Sequence, residues 1–127
     1  MSKTALVVDD STSMRQMVAF VLQQGGFTVI EGANGQEGLD KLDGQPVNVI
    51  ITDLNMPVMD GMSFLREARG QSDRPAVIVL TGYGTVQSAV EAMKFGAADY
   101  LIKPCNPEEL FIVIDRQLEL RDRKSVV

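Results

Sequence analysis

A chain of 127 residues suits one domain with a real core, and 45 % apolar with 23 % charged residues is ordinary for a water-soluble fold. A net charge of −5 without a basic cluster argues against direct nucleic-acid binding, and the apolar runs are too short to span a bilayer. One cysteine and no histidine exclude a disulfide framework, histidine acid–base catalysis and histidine-ligated zinc; with no signal-peptide stretch at the start, a cytoplasmic setting is expected.

The first apolar run predicts a strand over 4–9 that ends in Asp9-Asp10. A helix over 12–24 follows, with Met14, Met17, Val18, Val21 and Leu22 at core spacing, hydroxyls of Ser11, Thr12 and Ser13 for its first amides, and Gly25-Gly26 as its stop. A strand over 27–32 and a helix over 35–43 come next. The strand over 48–53 carries Val49-Ile50-Ile51-Thr52 into Asp53, then Leu54-Asn55-Met56-Pro57, before a helix over 61–69. Met14, Met17 and Met93 read as packing residues, and Met56, Met59 and Met62 as partner-facing around the loop after Asp53.

A strand over 76–81 ends at Thr81-Gly82. The helix over 85–95 repeats the core spacing with Val86, Ala89, Val90 and Met93, and Gly96 ends it. The last strand, 98–102, runs into Lys103-Pro104, a candidate cis peptide. The last helix, 107–122, opens with Asn106 as N-cap, Pro107 in its first position and Glu108-Glu109 at the positive dipole end. Its run Leu110-Phe111-Ile112-Val113-Ile114 exceeds one helical turn, so one or two of these residues face outward as a surface for a partner or a second copy. The sequence reads as a single domain over 1–127, with its core at 4–122 and a tail, 123–127, that frays or starts a linker.

Five βα units in a row predict an α/β fold: a doubly wound, flavodoxin-like (βα)5 with a five-stranded parallel sheet in the order 2-1-3-4-5. Ligands of such sheets bind beyond the carboxyl ends of the strands, at the switch point between strands one and three. Asp9, Asp10 and Asp53 end those two strands. Three carboxylates at one sheet edge suit a hard divalent cation. With no twelve-residue calcium loop, Mg²⁺ fits best, with Mn²⁺ as an alternative. Thr81 brings a hydroxyl to the same edge for a phosphoryl oxygen, and Lys103 a cation that can pair with Asp53 or with phosphate.

The set Asp9-Asp10, Asp53, Thr81, Tyr100 and Lys103-Pro104, with the segments Asp53-Leu54-Asn55-Met56-Pro57-Val58-Met59-Asp60-Gly61 and Gly96-Ala97-Ala98-Asp99-Tyr100, resembles a CheY-like receiver domain of bacterial response regulators. The resemblance spans Leu6 to about Leu118. It implies that Asp53 accepts a phosphoryl group from a histidine kinase or phosphotransfer protein, in a two-component system or phosphorelay. It implies Mg²⁺ ligation by Asp10, Asp53 and the Asn55 backbone carbonyl, with Asp9 reaching the ion largely through water, and charge neutralisation by Lys103. Thr81 and Tyr100 are then the switch that alters the face made by helix 4, strand 5 and helix 5, for an output partner or a homodimer. Tyr83, two residues past Thr81, implies a phosphate shielded from water and lasting minutes. The chain is then no enzyme on a separate substrate, catalysing only its own phosphoryl transfer and hydrolysis.

Three rivals stand beside this reading. An aspartyl phosphatase needs Asp-x-Asp at the nucleophile, where this chain has Asp53-Leu54-Asn55. A flavin-binding relative needs a phosphate-cradling loop after the first strand, where this chain has two carboxylates. A metal-independent interaction module needs none of the acidic set. The segment around Asp9-Asp10 resembles chemotaxis receivers, while residues 80–94 resemble receivers of enhancer-dependent transcription regulators. The output, the cognate kinase, the oligomeric state and any longer parent chain stay open.

Overall fold

Ten elements alternate strictly: β1 (Thr4–Val8), α1 (Thr12–Gln24), β2 (Thr28–Gly32), α2 (Gly35–Leu42), β3 (Val49–Thr52), α3 (Gly61–Arg69), β4 (Ala76–Thr81), α4 (Val86–Lys94), β5 (Asp99–Ile102) and α5 (Pro107–Val126). They belong to a computed structural model that describes residues 3–43, 45–54, 59, 61–69, 75–82, 84–103 and 105–126. Asn55, Met56, Tyr83 and Pro104, named above for metal binding, partner contact, phosphate lifetime and a cis peptide, lie outside the described residues.

The strands form one parallel sheet in the order β2-β1-β3-β4-β5, as expected. The register sets Val8 beside both Gly32 and Thr52, and Thr81 beside Ile102. Each strand feeds two cores because alternate side chains point to opposite faces. Ala5, Val7, Val49, Ile51, Ile78 and Leu80 pack against α1 and α5, while Leu6, Val8, Ile50, Val77 and Val79 pack with Phe64 and Leu65 of α3 and Leu42 of α2.

The helix ends follow the sequence signals. Ser11 accepts the Met14 amide at the start of α1, and Asn106 accepts the Glu109 amide ahead of Pro107. Gly26 and Gly96 take φ of 92° and 104°, so the next amides, of Phe27 and Ala97, turn back onto the carbonyls of Leu22 and Ala92. Of the apolar run in α5, Leu110, Val113 and Ile114 are buried and Ile112 is 58 % exposed, the outward residue that helical geometry demanded.

Three expectations need correction. In α4 the stripe Val86, Val90 and Met93 faces outward, with Val86 84 % exposed, and Ala92 is the buried position. The helix packs on the edge strand β5, where close approach favours small side chains, and the periodicity of the larger ones marks a second stripe. In α1, Ala19 takes the buried place expected of Met17, so Met17 and Met93 are not core packing, whereas Met59 and Met62 pack against the α2–α3 core and do not simply face a partner. Finally, α5 runs to Val126, past the boundary at 122 expected for the last helix. No Gly or Pro follows Leu118 to stop it.

Candidate functional site

The parallel register determines the site. The Asp9 amide continues the ladder by donating to the Gly32 carbonyl at 3.1 Å, and the Asp53 amide donates to the Val8 carbonyl at 3.1 Å. Asp9 and Asp53 therefore leave adjacent strands side by side at their carboxyl ends. One carboxylate oxygen each of Asp9, Asp10 and Asp53 lies within 4.8 Å of the others. Asp9 and Asp53 are buried, at 5 % and 6 % exposure, whereas Asp10 opens to solvent.

Two buried carboxylates so close demand a counterion. Lys103, at the end of β5, supplies it: Nζ donates to Asp9 Oδ2 at 2.8 Å and to Asp53 Oδ2 at 3.0 Å. Its backbone amide donates to the Thr81 carbonyl at 2.9 Å, which holds the strand end in place. Burial opposes the charge on Lys103, but hydrogen bonds to Asp9 and Asp53 and their negative charges outweigh it and raise the ammonium above its ordinary range. The other oxygens are also held: Asp9 Oδ1 accepts the Ser11 amide at 2.9 Å, and Asp53 Oδ1 the Leu54 amide at 2.6 Å.

The oxygen-only donor set, partly open through Asp10, matches a hard cation that keeps some of its water. Thr81 is fully buried at the end of β4. Tyr100 is half-buried on β5, and its hydroxyl shares a 2.7 Å hydrogen bond with Ser88, the residue that completes the capping box of α4 with Thr85. The structure thus brings Asp9, Asp10, Asp53 and Lys103 together and ties Tyr100 to the start of α4. The sequence reading named the Lys103–Asp53 pair. It missed the Lys103–Asp9 bond, which depends on register, and the role of Ser88, whose only sequence signal is the Thr-x-x-Ser spacing.

An apolar cleft of about 410 Å³ between α1 and the start of α5 adjoins the site through Lys103 and is lined also by Met14, Met17, Leu80 and Cys105. Burial, followed by the charge of Glu109, pushes the Cys105 thiol up, so it stays protonated at neutral pH. Alkylation of Cys105 by iodoacetamide at pH 8 is expected to run several-fold slower in the native chain than in urea, and to speed up as pH rises; a native rate equal to the unfolded rate would contradict this.

A cation-clamped acidic cluster at the switch point of an open parallel sheet defines an α/β protein that gathers oxygen ligands at one strand edge. The sequence model of the response regulator receiver domain matches residues 5–115. The transcriptional regulatory protein FixJ of Bradyrhizobium diazoefficiens is 37 % identical over 124 residues, covering 95 % of this chain and 60 % of FixJ. The crystal structure of chemotaxis protein CheY4 of Vibrio cholerae superposes with a TM-score of 0.87 at 39 % identity, covering 91 % of this chain and 98 % of that one. A response regulator from Burkholderia pseudomallei, whose crystal structure holds a phosphorylated aspartic acid, a calcium ion and citrate, gives a TM-score of 0.85 at 27 % identity, covering 98 % of this chain and 73 % of that one.

The chain belongs to the response regulator receiver domain family, the phosphoacceptor modules of two-component systems. It spans between a quarter and three fifths of the length of the first curated relatives it matches. Among the described residues, no helix is long and apolar enough to cross a membrane.

Proposed function

We propose that Asp53 is the phosphoacceptor of this chain, that Asp9, Asp10 and Asp53 hold Mg²⁺ with the Asn55 carbonyl, and that the donor is a phosphohistidine on a kinase or phosphotransfer protein. The observation that carries the reading is the Lys103 ammonium bonded to both Asp9 and Asp53 at the end of the sheet. A carboxylate oxygen of Asp53 attacks phosphorus, the P–N bond to the donor imidazole breaks, and that nitrogen leaves with the electron pair and takes up a proton. Lys103 sits within reach of the oxygens that gain charge in this transfer, and Asp9 holds it there. When bound, Mg²⁺ supplies further positive charge against the phosphoryl oxygens. Asp9 enters this reading in two parts, as a holder of Lys103 and as a ligand largely through water.

The second element of the proposal is the output. Thr81 and Tyr100 form the switch, and the face of α4, β5 and α5 meets an output partner or a second copy of the chain. Val86, Val90, Met93, Ile102 and Ile112 are all exposed on these elements, more apolar surface than a solitary domain needs. The Tyr100–Ser88 hydrogen bond links the switch residue to the α4 cap, so a change of Tyr100 rotamer alters the start of that helix.

The test is intact mass after incubation with Mg²⁺ and acetyl phosphate, run beside Asp53→Ala and beside a sample with excess chelator. The wild-type chain is expected to gain one phosphoryl mass that decays by hydrolysis, and both controls none. A stable adduct in Asp53→Ala would move the acceptor elsewhere. Sustained turnover of a phosphate ester would favour the phosphatase.

A further inference from the structure

Arg15, in the first turn of α1, makes two hydrogen bonds that the phosphoacceptor reading leaves without a purpose. Nη1 donates to the backbone carbonyl of Asp9 at 2.8 Å, and Nε donates to Glu31 Oε1 on β2 at 3.1 Å. The Arg15 side chain is 15 % exposed, and Glu31 is the more open partner. The Asp9 amide is itself tied to the Gly32 carbonyl. Asp9 is therefore gripped on both sides of its α-carbon, by β2 through its N–H and by α1 through its C=O.

That carbonyl belongs to the peptide that joins Asp9 to Asp10. The Asp9 carboxylate is oriented independently, by Ser11 and Lys103. Among the described residues, no hydrogen bond holds the exposed Asp10 carboxylate, so its placement rests on the backbone that carries it and on its own rotamer. The Asp9–Asp10 peptide fixes the point from which the Asp10 side chain starts toward Asp53, its rotamer completing the reach, and Arg15 holds that peptide. Glu31 braces the guanidinium from the far side, which suits the rigid fork of arginine and not the point charge of lysine.

We infer that Arg15, braced by Glu31, is a positioning residue that aims the Asp10 carboxylate into the acidic site and so sets the affinity for a divalent cation. This rests on the reading of Asp9, Asp10 and Asp53 as a Mg²⁺ site. Ligands in metal sites commonly depend on such outer partners, at a cost of about tenfold or more in affinity when the partner is lost. Charge and positioning act here with opposite signs. Removing a cation beside three carboxylates tightens Mg²⁺ binding if charge is all that matters, and loosens it if Arg15 aims a ligand.

Mg²⁺ titration of the full chain by calorimetry decides between them, with Arg15→Ala and Arg15→Lys compared with wild type and unfolding midpoints in chelator as the check on folding. Arg15→Ala is expected to bind Mg²⁺ about tenfold more weakly. Arg15→Lys, which keeps the charge but not both bonds, is expected to fall between the two. Either variant binding Mg²⁺ as tightly as wild type, or more tightly, overturns the inference; if Arg15→Ala does not fold, Arg15→Lys alone decides it. A wild-type chain that binds no Mg²⁺ strikes the metal reading itself, a failure distinct from that of Arg15.

Discussion

Replacing Lys103 with methionine is expected to lower unfolding free energy at pH 7 by about 3 kcal/mol and to slow phosphorylation at least a hundredfold. The stability loss follows from what the ammonium leaves behind: Asp9 and Asp53, each more than nine-tenths buried, would lose the cation that bonds to both. Removing one partner of a buried ionic group costs more than the pair itself contributes, because the orphaned charge is still desolvated.

The pH dependence follows from Lys103. Its folded-state pKa is raised, so its contribution is complete below the value for the unfolded chain and disappears only as pH rises through the raised one. Across pH 5 to 7 the wild-type lysine stays charged. Mg²⁺ is expected to narrow the gap between the two proteins, by binding the folded variant. Urea denaturation at pH 5 and pH 7, with and without Mg²⁺, measures all of this. A variant as stable as wild type at pH 7 would show that the three-residue ionic cluster adds nothing to the fold.

The second large effect concerns packing and leaves the site alone. Among the described residues, Phe64 is the largest fully buried side chain, on the face of the sheet covered by α2 and α3. A Cβ added at Gly38 would lie 2.8 Å from its ring, so α2 comes down onto Phe64 with no room to spare. Phe64→Ala is expected to cost about 4 kcal/mol, from lost transfer energy and a cavity that neighbouring strands cannot collapse to fill. For a domain of this size that lowers Tm by about 10–20 °C. Phosphorylation measured well below the new midpoint is expected to persist, because Phe64 packs in the same cluster as Val8 and Leu54 but carries none of the charged groups of the site. A change in Tm of only a few degrees would mean that α2 and α3 settle into the space.

Five alternations of apolar run and helical period, each punctuated by Gly, Asn or Pro, determined the fold class, the strand order and the edge on which the site lies. Those signals are local: the central strands β1, β3 and β4 are buried on both faces and read as continuous apolar runs, and the caps at Ser11, Asn106, Gly26 and Gly96 are written in residue types with one dominant use. The acidic residues were legible for the same reason, since a carboxylate that ends a buried strand stands out against its neighbours. The orientation of α4 was not legible. Its sequence carries two stripes, one of Val86, Val90 and Met93 and one through Ala92, and periodicity ranks them by size, whereas close approach to an edge strand selects the smaller.

The partners of Lys103 were half legible. Its pairing with Asp53 follows from sheet order, but its bond to Asp9 depends on a register that sets Asp53 against Val8 and brings both carboxylates under one ammonium. Arg15 and Ser88 could only emerge from the tertiary structure. Their partners, Asp9 and Glu31 in one case and Tyr100 in the other, lie on separate elements, and nothing in residue type distinguishes them from a solvated arginine and a helix-cap serine. Sequence sets what each segment is and which end of the sheet is acidic; the packing of segments distant in the chain decides which groups touch, because hydrogen bonds need placement to fractions of an ångström that no local pattern encodes.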